Sequence, residues 1–188
     1  MLINQISNAT SYNRYPDIFN EVTKYVSDSP NTQILSFGCS TGKECETLSN
    51  IYFKQSKIFG FDLHESIIND NIRSNTNPRI TYFSDASTLN KYDLVFAMSV
   101  LCIWPDENNT KGYSFDLFTE TLNSIDRLIK IGGVLCIYNS KYAFTHTKIS
   151  NNYEIIKTLN INTGFVHKYS KNNERLLNYP HFLFRKLK

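Results

Sequence analysis

Two glycines and one acid, at a fixed spacing, carry most of the chemistry legible in this chain of 188 residues. Gly38-Cys39-Ser40-Thr41-Gly42 follows the apolar run 33–37 and precedes a segment with Cys45, Leu48 and Tyr52 on one helical face. Such a turn lets backbone approach a ligand closely, and the helix after it offers unpaired amides and the positive end of its dipole. Asp62 closes a second apolar run, 57–61, at the distance from the turn where a carboxylate accepts hydrogen bonds from ribose hydroxyls. Asp85 follows a third run, 80–83. All three features would meet at the carboxyl ends of strands in an open α/β sheet, where ligands bind. Together they predict a nucleoside-containing cofactor.

Other chemistries share parts of this pattern. Gly38-x-Ser40-x-Gly42 fits the nucleophile elbow of α/β hydrolases, with Ser40 as nucleophile, but that elbow follows a central strand reached after several others, and here the turn follows the first. A nicotinamide-binding oxidoreductase shares the turn, the acid and the sheet, although the third glycine of its GxGxxG is missing. No paired carboxylates, metal-ligand cluster or Walker lysine appears.

The elements that must position these residues alternate short apolar strands with amphipathic helices. Pro16 suits a first helical turn, and Ile18, Val22, Tyr25 and Val26 predict a helix over 16–27. Strands follow at 33–37, 57–61, 80–83, 92–97 and 134–138, with a short helix at 65–73. Phe118, Leu122, Ile125 and Ile129 mark the longest helix, which Gly132-Gly133 is expected to stop. Past residue 139 the rhythm breaks: 153–159 reads as a sixth strand, 171–173 as a hairpin turn and 181–187 as the last strand. The expected fold class is α/β: a doubly wound, mostly parallel Rossmann-like sheet with an antiparallel C-terminal strand, in a single domain over 1–188.

Composition narrows the function classes. A net charge of +3 falls short of the positive field that sequence-independent nucleic-acid binding needs, so no nucleic acid partner is expected. The four cysteines lie scattered without CxxC spacing and read as reduced core thiols. The longest apolar run, 94–104, is too short to span a bilayer and the opening lacks the regions of a signal peptide. The expectation is a cytoplasmic protein with no membrane partner; the sequence gives no oligomeric state.

The ordered segments ILSFGCSTGKE, IFGFDLHESI, ITYFSDA, YDLVFAMSVL and LIKIGGVLCIY, covering residues 34–138, resemble the motifs of class I S-adenosylmethionine-dependent methyltransferases. In that family the turn touches the methionine part, the acid after the second strand holds the ribose, and the acid after the third meets the adenine amino group. The resemblance implies S-adenosylmethionine as cofactor, with contacts from Gly38, Cys39, Ser40, Gly42, Asp62, Leu63, Asp85, Ala86, Met98 and Ser99. Ser36 stands where most members carry an acid. Ser-x-Gly-Cys-Ser-Thr-Gly is similar to the chemotaxis-receptor glutamate methyltransferases, whose Thr-x-Phe-Phe-Arg segment resembles Thr10-Ser11-Tyr12-Asn13-Arg14. That likeness implies cofactor contacts from Thr10 and Arg14 as well. Lys43 for a Glu, Met98-Ser99 for Arg-Asn and Ile103 for a Tyr depart from that group, which points to a shared cofactor mode and a different acceptor.

The expected activity is direct in-line methyl transfer to a small molecule or an exposed sugar-like group, the alternatives being a nicotinamide oxidoreductase or a non-catalytic nucleoside-binding domain of the same fold. Residues 1–30 read as an N-terminal helical lid segment and 139–180 as an acceptor-binding insertion, in which Tyr142, Phe144, Tyr169 and Tyr179, with Tyr113 and Tyr138 before it, would line the acceptor pocket. His146, in the irregular segment after the fifth strand, is the candidate general base for a hydroxyl or amine acceptor.

Overall fold

The computed structural model describes residues 7–88, 90–103, 112–158 and 164–188. Five strands run parallel: β1 (Gln33–Phe37), β2 (Lys57–Phe61), β3 (Ile80–Phe83), β4 (Tyr92–Met98) and β5 (Ile129–Tyr138). β6 (Tyr153–Ile155) and β9 (Leu183–Lys186) complete a seven-stranded sheet in the order β3-β2-β1-β4-β5-β9-β6, with β9 antiparallel to both β5 and β6. A separate hairpin, β7 (Lys168–Tyr169) and β8 (Arg175–Leu176), folds about the turn expected at 171–173. The sheet is the expected one, antiparallel C-terminal strand included.

Both faces of the sheet are covered, so its strands are apolar at consecutive positions. Along β4, Leu94, Phe96 and Met98 pack toward α1 (Pro16–Val22), α2 (Lys43–Thr47) and α3 (Glu65–Ser74). Val95 and Ala97, pointing the other way, pack with Phe118, Leu122 and Ile125 of α4 (Phe115–Asp126). β5 divides likewise, Val134 and Cys136 against Leu135 and Ile137. A slip of one residue would exchange these two faces throughout, which fixes the register.

Several element boundaries differ from the sequence expectation; the sixth strand, expected over 153–159, ends at Ile155, and the last, expected over 181–187, spans Leu183–Lys186. α1 ends at Val22, and 23–25 continue as turns. α2 gives way after Thr47 to a π-helical turn, Leu48–Tyr52. α4 ends at Asp126, so Ile129 opens β5 instead of closing the helix. Gly132 and Gly133 lie inside that strand, where its register against β4 shifts and Gly132 takes φ +80°. Positive φ with no side chain suits a strand irregularity as well as a helix end, which is why the pair misled.

Residues 139–152, expected as an irregular segment over the acceptor, form two short 3₁₀ turns, Phe144–His146 and Lys148–Asn152, with Tyr142, Ala143 and Phe144 buried. Among the described residues no helix is long and apolar enough to cross a membrane.

Candidate functional site

A cavity of about 270 Å³ opens at the carboxyl ends of β1, β2 and β4. Its walls include Gly38, Cys39 and Ser40 from the turn, Phe61 to His64 from the end of β2, and Met98 to Val100 from the end of β4, with residues 7–11, Arg14 and Tyr15 across the opening.

The turn is built onto the end of β2. The amides of Gly38 and Cys39 both donate to Phe61 O, at 2.7 and 2.9 Å. That brings the next residue, Asp62, under the turn, where its Oδ2 accepts from Ser40 N at 2.8 Å. Ser40 adopts φ +48°, uncommon for a residue with a side chain. It is held there on three sides: by Asp62, by Asn71 Nδ2 donating to its carbonyl at 2.8 Å, and by its hydroxyl donating to Asn8 O at 2.9 Å. Gly38 also sits at positive φ, and a Cβ there would fall 2.2 Å from Val100 Cγ1, so close packing against the segment that follows β4 favours a glycine. Gly42 is the left-handed entry to α2 and shapes the turn without being among the cavity residues.

A second carboxyl group enters from α2. Glu44 lines the cavity, and its Oε1 accepts from Ser36 Oγ at 2.8 Å. Burial pushes this carboxyl up to about 7, even though the Ser36 hydrogen bond and the nearby Arg14 charge both favour the ionised form. A carboxyl group thus stands beside Ser36, supplied eight residues later by the first turn of α2. Sequence reading passed over Glu44; a serine at an acid's usual position, with a glutamate eight residues later, was the available signal.

The N-terminal segment crosses the opening. Asn13 N donates to Thr47 Oγ1 at 2.8 Å and Tyr52 OH donates to Asn13 Oδ1 at 2.7 Å. Thr10 and Arg14 both line the cavity. The Arg14 guanidinium lies 5.2 Å from the Tyr15 ring centre and 5.6 Å from that of Phe165, so it joins this segment to the C-terminal insertion.

Beside the ends of β4 and β5 stands an uncharged polar cluster. Tyr15 OH and Ser99 Oγ share a hydrogen bond of 2.8 Å, and Asn139 Nδ2 donates to Ser99 Oγ at 3.0 Å and to Tyr15 OH at 3.3 Å. Asn139 Oδ1 accepts from Phe165 N at 3.1 Å. Ser99 and Asn139 leave their strands with φ +60° and +52°, so both adjacent strand ends are held in a conformation that residues with side chains rarely adopt.

Of the expected cofactor residues, Thr10, Arg14, Gly38, Cys39, Ser40, Asp62, Leu63, Met98 and Ser99 meet at the cavity, and Gly42, Asp85 and Ala86 are not among its walls. Asp85 is exposed and turns back on its own loop, accepting from Ser87 N at 2.8 Å and Ser87 Oγ at 2.6 Å; those bonds hold its carboxyl below the usual range. Ala86 begins the short 3₁₀ turn that follows. His146 is exposed and outside the cavity walls, its Nδ1 accepting from Lys171 N at 3.3 Å. Of the aromatic residues expected around an acceptor, Tyr113, Tyr142 and Phe144 are buried in the core, Tyr138 packs on the cavity residue Tyr15, and Tyr169 and Tyr179 are half-buried and not among the cavity walls; among the described residues of the insertion, Phe165 reaches the cavity. His64 is also a cavity wall.

No protein-family model and no curated protein matches the sequence. Among solved structures the chain is similar to MccD, with 16% identity over 79% of this chain and 75% of that one, at a TM-score of 0.50. It is also similar to an S-adenosylmethionine-dependent methyltransferase from Mesorhizobium loti, with 18% identity, 65% and 51% coverage and a TM-score of 0.45. For phosphoethanolamine N-methyltransferase 2 from Haemonchus contortus, in complex with S-adenosyl-L-methionine, the figures are 16%, 70% and 29%, and 0.48. Across seven similar structures other than MccD, the chain spans 24–58% of the partner's length. At such identities the likeness is one of fold. The sheet order, with antiparallel β9 between β5 and β6, is that of a Rossmann-like fold.

Proposed function

We propose that the chain is an S-adenosylmethionine-dependent methyltransferase that binds its cofactor in this cavity and methylates a small polar acceptor. The observation that carries the reading is the cavity's charge pattern: two carboxyl groups, Asp62 and Glu44, in its walls, with Arg14 beside the second. A nucleoside joined to an amino acid has the complementary chemistry. Asp62 accepts from the ribose hydroxyls, Glu44 pairs with the ammonium, and Arg14 meets the carboxylate. Leu63, Phe61 and Phe37 supply apolar surface for the base.

When bound, S-adenosylmethionine supplies a methyl group on a positively charged sulfur. The protein's share is then to align the acceptor and exclude water. The Tyr15–Ser99–Asn139 cluster suits that task, since its hydroxyl and amide groups can orient a neutral hydroxyl or amine, a sugar-like one included, at the ends of β4 and β5. Incubation with methyl-labelled S-adenosylmethionine and a panel of small alcohols, sugars, amines and carboxylic acids tests the reading. Label transferred to a hydroxyl or amine is the expected result. Binding of NADH in place of S-adenosylhomocysteine would overturn it.

A further inference from the structure

We infer that His64 is a positioning residue for ribose recognition: its Nδ1–H holds the Asp62 carboxylate in the orientation from which it accepts a ribose hydroxyl. The inference rests on the reading of the cavity as a nucleoside-cofactor site. His64 lines the cavity, and its Nδ1 lies 2.9 Å from Asp62 Oδ1. An ionised carboxylate can only accept, so the imidazole proton resides on Nδ1 and Nε2 is left for solvent or ligand. The same Oδ1 accepts from His64 N at 3.1 Å, while Oδ2 accepts from Ser40 N at 2.8 Å.

These three donors fill most of the roughly four acceptor positions of a carboxylate and leave room for one strong hydroxyl contact in a fixed direction. A carboxylate gripped in this way has no rotamer freedom to lose when the ligand arrives, the condition under which a polar contact gives most affinity and selectivity.

A purely local role for His64 is the competing explanation, because the residue stands at the entry to α3. At that position a side chain ordinarily accepts from the first turn's amides, and Ser, Asp or Asn does so best. The His64 side chain makes no such cap bond. Its polar atom is turned away from the helix it precedes and onto Asp62, which the helix does not require.

Calorimetric titration of wild type, His64→Leu and His64→Asn with S-adenosylhomocysteine and with its 2′,3′-dideoxy analogue tests the assignment. The Leu variant removes the donor; Asn places an amide nitrogen where Nδ1 stood and is also a good helix cap, so the variant keeps the fold. Expected are a loss of about tenfold for His64→Leu on S-adenosylhomocysteine, as for one charge-assisted hydrogen bond, recovery to within about threefold by His64→Asn, and no loss for either variant on the dideoxy analogue. An equal loss on both ligands would show that His64 acts through the fold and would overturn the inference, as would unchanged binding by His64→Leu. Either result leaves the cofactor reading standing, whereas a wild type that binds neither ligand removes that reading and the inference with it.

Discussion

In the cavity wall Asp62 receives hydrogen bonds from Ser40 N and His64 N and pairs with His64 Nδ1, whereas Glu44, among the described residues, receives one from Ser36 Oγ. The first carboxylate is surrounded by donors from the turn and the start of α3. The second is held by a single hydroxyl and faces Arg14, whose guanidinium is occupied with two aromatic rings and with Ala9 O at 2.8 Å. Burial without enough partners raises the Glu44 carboxyl to about 7. On the proposed reading, the nucleoside end of the ligand therefore meets a preformed carboxylate, and its amino-acid end brings the cation that completes the surroundings of Glu44. Preorganisation at the first end should give direction and selectivity, and the second should make affinity depend on pH.

Asp62→Ala attacks the preformed end and carries the largest expected effect. Loss of hydrogen bonds to a charged group should weaken S-adenosylhomocysteine by about 1–3 kcal/mol in calorimetry. It should also free Ser40 N, so part of the loss reflects a disturbed turn. Arg14→Ala loosens the other end, where the guanidinium bridges Tyr15 to Phe165 and, on the proposed reading, contributes a ligand contact. About a threefold to tenfold loss of affinity with little change in melting temperature is expected, as for one exposed cation–π and hydrogen-bond pair. His146→Ala belongs to neither end and should leave cofactor affinity and methyl transfer within about twofold of wild type, in the range of a surface substitution. A large fall in turnover with unchanged affinity would instead restore the imidazole to the chemistry.

The same contrast separates what the sequence made legible from what it did not. Strands β1 to β5 and the turn could be read because both faces of the sheet are buried and each strand is apolar at consecutive positions, bounded by glycine, proline or acid. Asp62 was visible through its spacing from Gly42. Glu44 and His64 were not, because each acts on a neighbour in space, Ser36 and Asp62, by a side-chain direction that sequence spacing does not encode. Asp85 carried the same kind of signal as Asp62, an acid after a strand. Two hydrogen bonds from Ser87 turn it toward its own loop, an arrangement that Asp-x-Ser chemistry permits equally. Beyond residue 139, pairing depends on contacts between distant segments such as Asn139 with Phe165, and local pattern gave no access to them.

The most direct test of the two-ended account is the pH dependence of S-adenosylhomocysteine binding to wild type and Glu44→Gln between pH 5.5 and 8. In the free protein the carboxyl titrates near 7, and an ammonium beside it favours the ionised form, so binding at lower pH must expel a proton. Wild-type affinity should rise with pH, by up to about tenfold per unit below 7, and level off above it. Glu44→Gln should bind about tenfold more weakly than wild type at pH 8, with a flat profile. A wild-type profile that is itself flat, or a Gln variant that keeps the same slope, would contradict the assignment of Glu44 to the ligand's ammonium group.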